Sequence, residues 1–223
     1  MTAELVRPAT LPRLALRGPL DDWAERLAAL PPGLSAAPDA TLQQLAVRVD
    51  PASPGARAVE ALVGARLPGP SSCSTSPDGV DVVWLGPDEW LVLAPAARPV
   101  PVVALADAVL ASGGTVVDVS AQRTTLRLRG EHVPDLLRGG CAVDLHPGVF
   151  DPGTAVQTSI AQIGVLLVAR APGGGDVMLV VRSTFAGALA DWVLDAATEH
   201  LEDAEHLEDA EHPDTTPDAQ EPS

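Results

Sequence analysis

The chain reads as an α+β protein, mainly antiparallel sheet with helices packed on it, folded as two similar-sized packed halves, 1–112 and 113–198. Three observations predict this. Segments with a two-residue apolar period come in adjacent pairs around short turn sequences, as antiparallel hairpins do. Segments with a helical period are interspersed without the strict strand–helix alternation of a parallel sheet. The 223 residues are 46% apolar but only 3% aromatic, so a sizeable core can form and must be built from Leu, Val and Ala.

Asp22, followed three residues later by Glu25, signals a first helix with Trp23, Leu27 and Leu30 on one face, stopped by Pro31, Pro32 and Gly33. Leu45, Val47 and Val49 alternate with Gln44, Ala46 and Arg48, a half-buried strand ending at Asp50 and Pro51. Ser53 caps a second helix, Pro54 suits its first turn, and Val59, Leu62 and Val63 form its stripe before Pro68, Gly69 and Pro70. Residues 68–79 read as loop. Residues 80–85 and 90–94 are two strands reversing at Gly86-Pro87-Asp88-Glu89. Residues 102–112 have helical spacing with Gly113-Gly114 as cap, and strands at 116–119 and 124–129 flank Ser120-Ala121-Gln122-Arg123. A short helix at 133–138 ends at Gly139-Gly140; strands at 156–163 and 165–170 precede a Gly173-Gly174-Gly175 turn into a strand at 177–181. Ser183 caps the final helix, whose core-facing stripe is Phe185, Ala188, Leu189, Trp192, Val193, Ala196 and Ala197.

Charge is unevenly distributed. The formal net charge is −16, yet residues 199–223 hold ten carboxylates and no arginine, which leaves the body 20 acids, 14 arginines and a net −6. That stretch reads as an acidic disordered tail, a solvated helix fraying out. It repeats HLEDAE from His200 and again from His206, followed by His212. Six residues turn a helix by about 600°, so successive histidines point about 120° apart and cannot converge on one ion.

Composition removes several functions. With no lysine there is no Schiff-base or phosphate-loop amine. The acidic balance argues against general nucleic-acid binding. No segment reaches the roughly 18 to 20 apolar residues of a membrane helix. The first twenty residues interrupt any signal-like core with Arg7, Pro8, Pro12, Arg13 and Arg17, so the cytoplasm is the expected compartment. Cys73 and Cys141 have no metal-ligand spacing and read as free thiols.

Catalytic candidates are few. His146 sits in a proline turn, His132 opens a helix, and Asp144 and Asp151 are explained by turn hydrogen bonds. The three glycines from Gly173 lack the spacing of a phosphate-binding loop. No catalytic, cofactor-binding or metal residue is therefore nominated. Trp84 and Trp90 could stack on a flat ring but more often anchor cores and interfaces. Arg123, Arg127 and Arg129 alternate along one strand, where their guanidinium forks suit carboxylates of the same chain or of a partner.

These residues carry a resemblance. Trp84-Leu85-Gly86-Pro87-Asp88-Glu89-Trp90-Leu91, Val117-Asp118-Val119-Ser120-Ala121-Gln122-Arg123-Thr124 and Cys141-Ala142-Val143-Asp144-Leu145-His146-Pro147 resemble the gamma subunit of heterotetrameric sarcosine oxidase. Gln157-Thr158-Ser159-Ile160-Ala161-Gln162-Ile163 and Val180-Val181-Arg182-Ser183-Thr184-Phe185 with Trp192 continue it, over most of 45–198 and outside the acidic tail. That family is similar in fold to the folate-binding part of the glycine-cleavage aminomethyltransferase, so the resemblance implies one such domain over 1–198. Where the aminomethyltransferase has its catalytic aspartate, this chain has Gly164 or Val165, neither able to transfer a proton.

The resemblance thus implies a noncatalytic subunit of an assembly that oxidatively demethylates sarcosine to glycine, forms hydrogen peroxide and passes the one-carbon unit to tetrahydrofolate. The implied partners are the alpha, beta and delta subunits. FAD, FMN, NAD and tetrahydrofolate would belong to them, with no cofactor in this chain. An apolar face near Trp84 and Trp90, with Ser120, Gln122 and Arg123 in a connection between strands, is the expected partner side. The alternative is a freestanding folate-binding one-carbon transferase or maintenance factor, which needs a charged pocket.

Overall fold

A computed structural model describes residues 17–39 and 41–211. Two five-stranded antiparallel sheets form back to back. The first has the order β3 (Cys73–Thr75), β4 (Asp81–Gly86), β5 (Glu89–Ala94), β2 (Gln43–Arg48), β6 (Thr115–Asp118). The second runs β1 (Ser35–Asp39), β7 (Arg123–Arg129), β10 (Asp176–Arg182), β9 (Ile163–Ala169), β8 (Ala155–Ile160).

Helices cover both outer faces. Under α2 (Pro54–Val63) and α3 (Val102–Leu110), Val59, Val63, Leu105 and Val109 pack with Leu45, Val47 and Val92. Under α1 (Ala24–Ala28), α4 (Val133–Arg138) and α5 (Ala186–Glu211), Leu27, Leu137, Leu189 and Val193 pack with Leu126, Leu167 and Leu179. The inner faces meet through Val83, Leu91 and Leu93 of the first sheet and Leu166, Val168, Met178 and Val180 of the second. Four layers result: helices, sheet, sheet, helices. Central strands are buried on both faces, which is why β4, β5, β9 and β10 are apolar runs rather than alternations.

Each sheet is built by the same unit, a strand, a helix, three meandering strands and a helix. The fifth strand completes each sheet differently: β6 follows its unit and pairs with β2, whereas β1 precedes both units and pairs with β7. The sheets therefore do not part at Gly113. The chain crosses between them between β1 and β2 and again at 119–122, so β6 lies beyond the expected 1–112 half while pairing within the first sheet.

Other expectations change too. Residues 68–79 include β3, whose Cys73 pairs with Val83. Strand β1 escaped the sequence reading because Ser-Ala-Ala-Pro-Asp has little β character, and Pro38 is tolerated there only because β1 is an edge. The β8–β9 hairpin turns at Ala161 and Gln162, both left-handed (φ 47° and 68°), rather than near Gly164, because a two-residue hairpin turn needs that twist. The first helix has no side-chain cap; Asp21 accepts from the Gly18 amide at 2.8 Å, and Asp22 pairs with Arg17.

Ser183 does not cap α5 either. A single tight turn (Ser183–Phe185) precedes it, and the Ser183 hydroxyl donates to the Ala121 carbonyl at 3.0 Å. The buried stripe is consequently Ala186, Leu189, Ala190, Val193 and Ala197, with Phe185 49% exposed and Ala188 exposed. Ser53, by contrast, caps α2 as expected: its Oγ accepts from the Ala56 amide at 3.2 Å, and Gly64 ends the helix left-handed (φ 74°). Helix α5 continues through 199–211, part of the stretch expected to be disordered; 212–223 and the first sixteen residues lie outside the described residues.

Candidate functional site

The second crossing is tied down by hydrogen bonds. Asp118 Oδ1 accepts from the Ser120 amide (2.9 Å) and hydroxyl (2.6 Å), and these bonds hold the Asp118 carboxyl below its ordinary pKa. Ser120 Oγ accepts from the Gln44 amide (2.9 Å), the Gln44 carbonyl accepts from the Val119 amide (2.8 Å), and Gln44 Nε2 donates to the Arg123 carbonyl (3.1 Å). Gln44 is only 2% exposed, so one buried amide side chain stitches β2 to β7 across the sheets. Ser120, expected on a partner face, is half-buried within this knot, whereas the Gln122 side chain is exposed.

Beyond the knot the inner face of the second sheet emerges from under the first and forms an open cleft of about 540 Å³. Strand register decides what lines it. Arg182 lies opposite Arg123 on adjacent strands; one pleat inward, Val180 lies opposite Leu166, which lies opposite Gln157, and Ser159 lies opposite Gly164. Apolar Leu166 and Val180 form the floor where the sheet–sheet core ends. Gln157 is held by donating Nε2 to the Leu85 carbonyl at 2.8 Å.

The two arginines set the electrostatics. Burial, and then the charge of Arg182, push the half-buried Arg123 guanidinium below its ordinary pKa, with Glu89 acting in the opposite direction. Glu89 itself is held by Arg48, at 2.7 Å from Nη2 and 3.2 Å from Nε. Among the described residues no carboxylate bonds Arg123 or Arg182. Their neighbours differ: Arg127 grips Asp176 with two 2.7 Å bonds and Arg129 adds a third at 3.3 Å, while Arg170 grips Asp81 across the sheet–sheet interface. The carboxylate partners expected for the arginine row thus exist for Arg127 and Arg129, within the chain.

Gly164 faces open space; a Cβ there would meet nothing within 4 Å, while Val165 is buried among the residues under the helices. The cleft lining contains arginines, an amide and hydroxyls but no carboxylate.

The tryptophans separate. Trp90 is 2% exposed, packs under α2 and donates Nε1 to the Pro68 carbonyl at 2.9 Å, so it offers no surface to a partner. Trp84, its cross-strand neighbour, is half-buried beside a proline-rich groove of Pro51, Pro68, Pro70 and Pro87. His146 is exposed and Asp144 Oδ1 accepts from its amide (2.9 Å); Asp151 accepts from Gly148 (3.3 Å), so both acids serve turns. Cys141 is buried, and burial pushes the Cys73 thiol up to about 12. Among the described residues no three His, Cys, Asp or Glu side chains gather as metal ligands, and no helix is long and apolar enough to cross a membrane. Arg182, Gln44 and Gln157 were missed as site residues; β7 and β10 were visible as strands, but the register that joins them was not.

Comparison with known proteins places this architecture. The profile of the sarcosine oxidase, gamma subunit family matches residues 48–199. Sarcosine oxidase subunit gamma of Corynebacterium sp. (strain P-1) is 37% identical over 160 residues, covering 70% of this chain and 76% of that protein. The subunit gamma of an Arthrobacter sp is 36% identical over 160 residues with the same coverage. A chain of the heterotetrameric sarcosine oxidase from Corynebacterium sp. U-96, solved in complex with pyrrole 2-carboxylate, superposes with a TM-score of 0.75 at 32% identity, covering 82% of this chain and 95% of that one. The glycine cleavage system aminomethyltransferase T from Bartonella henselae shares the fold at a TM-score of 0.54 and 14% identity, over 77% of this chain and 48% of that one.

Proposed function

The chain belongs to the sarcosine oxidase gamma subunit family, and from that membership we propose that it is a noncatalytic structural subunit of a heterotetrameric sarcosine oxidase. The assembly would demethylate sarcosine oxidatively to glycine, form hydrogen peroxide and hand the one-carbon unit to tetrahydrofolate. Its partners would be alpha, beta and delta subunits, which would hold FAD, FMN, NAD and tetrahydrofolate, this chain holding none. The observation that carries the reading is the 0.75 superposition over 95% of a chain of that oxidase, which spans both sheets.

The absence of proton-handling chemistry in this chain is supported by Gly164 or Val165 standing where the resemblance to the aminomethyltransferase places an aspartate, since neither can transfer a proton. Exposed Gln122, half-buried Arg123 and Trp84 are the residues we assign to the partner side, with Val117 of edge strand β6, 55% exposed, shortly before Gln122 and Arg123 in the chain. Two unbonded thiols, Cys73 and Cys141, support a cytoplasmic location. Nothing in the cleft favours the freestanding folate-dependent transferase.

Coexpression with tagged alpha subunit and the beta and delta subunits tests the proposal: this chain should elute with the complex in stoichiometric amount. A chain that stays in the flow-through, or that alone turns over sarcosine, overturns it.

A further inference from the structure

Arg123 and Arg182 are register partners on adjacent strands, facing one cleft, with no acid bonded to either among the described residues. In a body with 20 acids for 14 arginines, that is a costly arrangement. Like charges directly opposite across a sheet repel, and Arg123 is half-buried as well, which adds a desolvation penalty. The neighbouring arginines of the same face show what the fold does elsewhere: Asp176 sits between Arg127 and Arg129, and Asp81 answers Arg170. At the cleft no acid among the described residues bonds either arginine, Glu89 acting on Arg123 through its charge while bonded to Arg48, and Gly164 has open side-chain space beside them.

We propose that the cleft is an oxyanion-binding site in which Arg123 and Arg182 together hold one carboxylate or phosphate group, with Gln157 and Ser159 on its rim. Two guanidinium forks converging on one group is the arrangement that binds planar carboxylate and tetrahedral phosphate best. A volume of about 540 Å³ over a floor of Leu166 and Val180 admits an anion carried on a small organic body. The inference does not rest on the subunit reading. The anion comes either from a free small molecule or from an acidic side chain of an assembly partner.

Arginine footprinting with phenylglyoxal, read residue by residue by mass spectrometry, tests this on the full-length chain. Phosphate or malonate should protect Arg123 and Arg182 saturably relative to chloride at equal ionic strength, leaving exposed Arg66 unprotected. Arg182→Gln should raise the concentration for half-protection of Arg123 about tenfold, the loss of one charged hydrogen-bonding partner, while melting no lower than wild type without added anion. The same footprint on an assembled complex identifies the source. Protection that still requires added phosphate indicates a free ligand; protection already complete indicates a partner's carboxylate. Equal modification of Arg123, Arg182 and Arg66 with and without both anions overturns the proposal.

Discussion

Asp81 shows how much one side chain can decide. It stands on β4 at 8% exposure and takes both terminal nitrogens of Arg170, which follows β9 in the other sheet, so the pair spans the sheet–sheet interface. Replacing one member of a buried pair strands the other charge, at a cost of about 3–5 kcal/mol. Asp81→Ala should lower the urea midpoint accordingly, and an unchanged midpoint would mean the pair is solvated. Asp176 makes a pH prediction. Burial pushes its carboxyl up, but the Arg127 hydrogen bonds and the Arg127 and Arg129 charges outweigh this and hold it below its ordinary 3.8. A depressed native pKa stabilises fully above the unfolded value and is lost as pH falls through the native one. Asp176→Asn should therefore destabilise at neutral pH and flatten the loss of melting temperature below about pH 4. Cys73, with its thiol raised to about 12 by burial, should resist iodoacetamide at neutral pH in the native protein and react once unfolded.

At the scale of elements, two glycines that look alike in the sequence behave oppositely. Gly130 ends β7 with φ 135°, and a Cβ there would stand 1.9 Å from the Gly33 carbonyl oxygen, where the chain enters β1. Gly164 lies inside β9 with open space ahead of it. Gly130→Ala should cost about 3 kcal/mol or more, through strain and collision. Gly164→Ala should change stability by no more than about 0.5 kcal/mol, by thermal unfolding, since it meets neither. The start of helix α2 was legible because its signals are local, a serine cap and a proline in the first turn, whereas its end comes at left-handed Gly64, ahead of the expected Pro68, Gly69 and Pro70. Helix α5 was legible in existence and in its Leu189, Val193 and Ala197 stripe but not at its start, because the tight turn at Ser183–Phe185 precedes it and leaves Phe185 in solvent.

For the molecule as a whole, β2 to β6 build the first sheet from one continuous stretch between the two crossings, whereas β1 lies before the first crossing and closes the second sheet against β7. The crossings place Gln44 and Ser120 in a buried knot and Arg123 at the mouth of the cleft, so the segment nominated from sequence as a partner face divides into a structural and an exposed part. Local periodicity, turn chemistry and composition by themselves determined the class of fold, the central strands, α2, the aliphatic core and the scarcity of acid–base residues, since each is written within a few consecutive positions. Only the tertiary structure decided that Trp90 is core, that β1 and β3 exist, that Asp81 answers Arg170 and that Arg182 faces Arg123. Those facts depend on strand register and sheet packing, which join residues far apart in the chain by burial that no short window of sequence records.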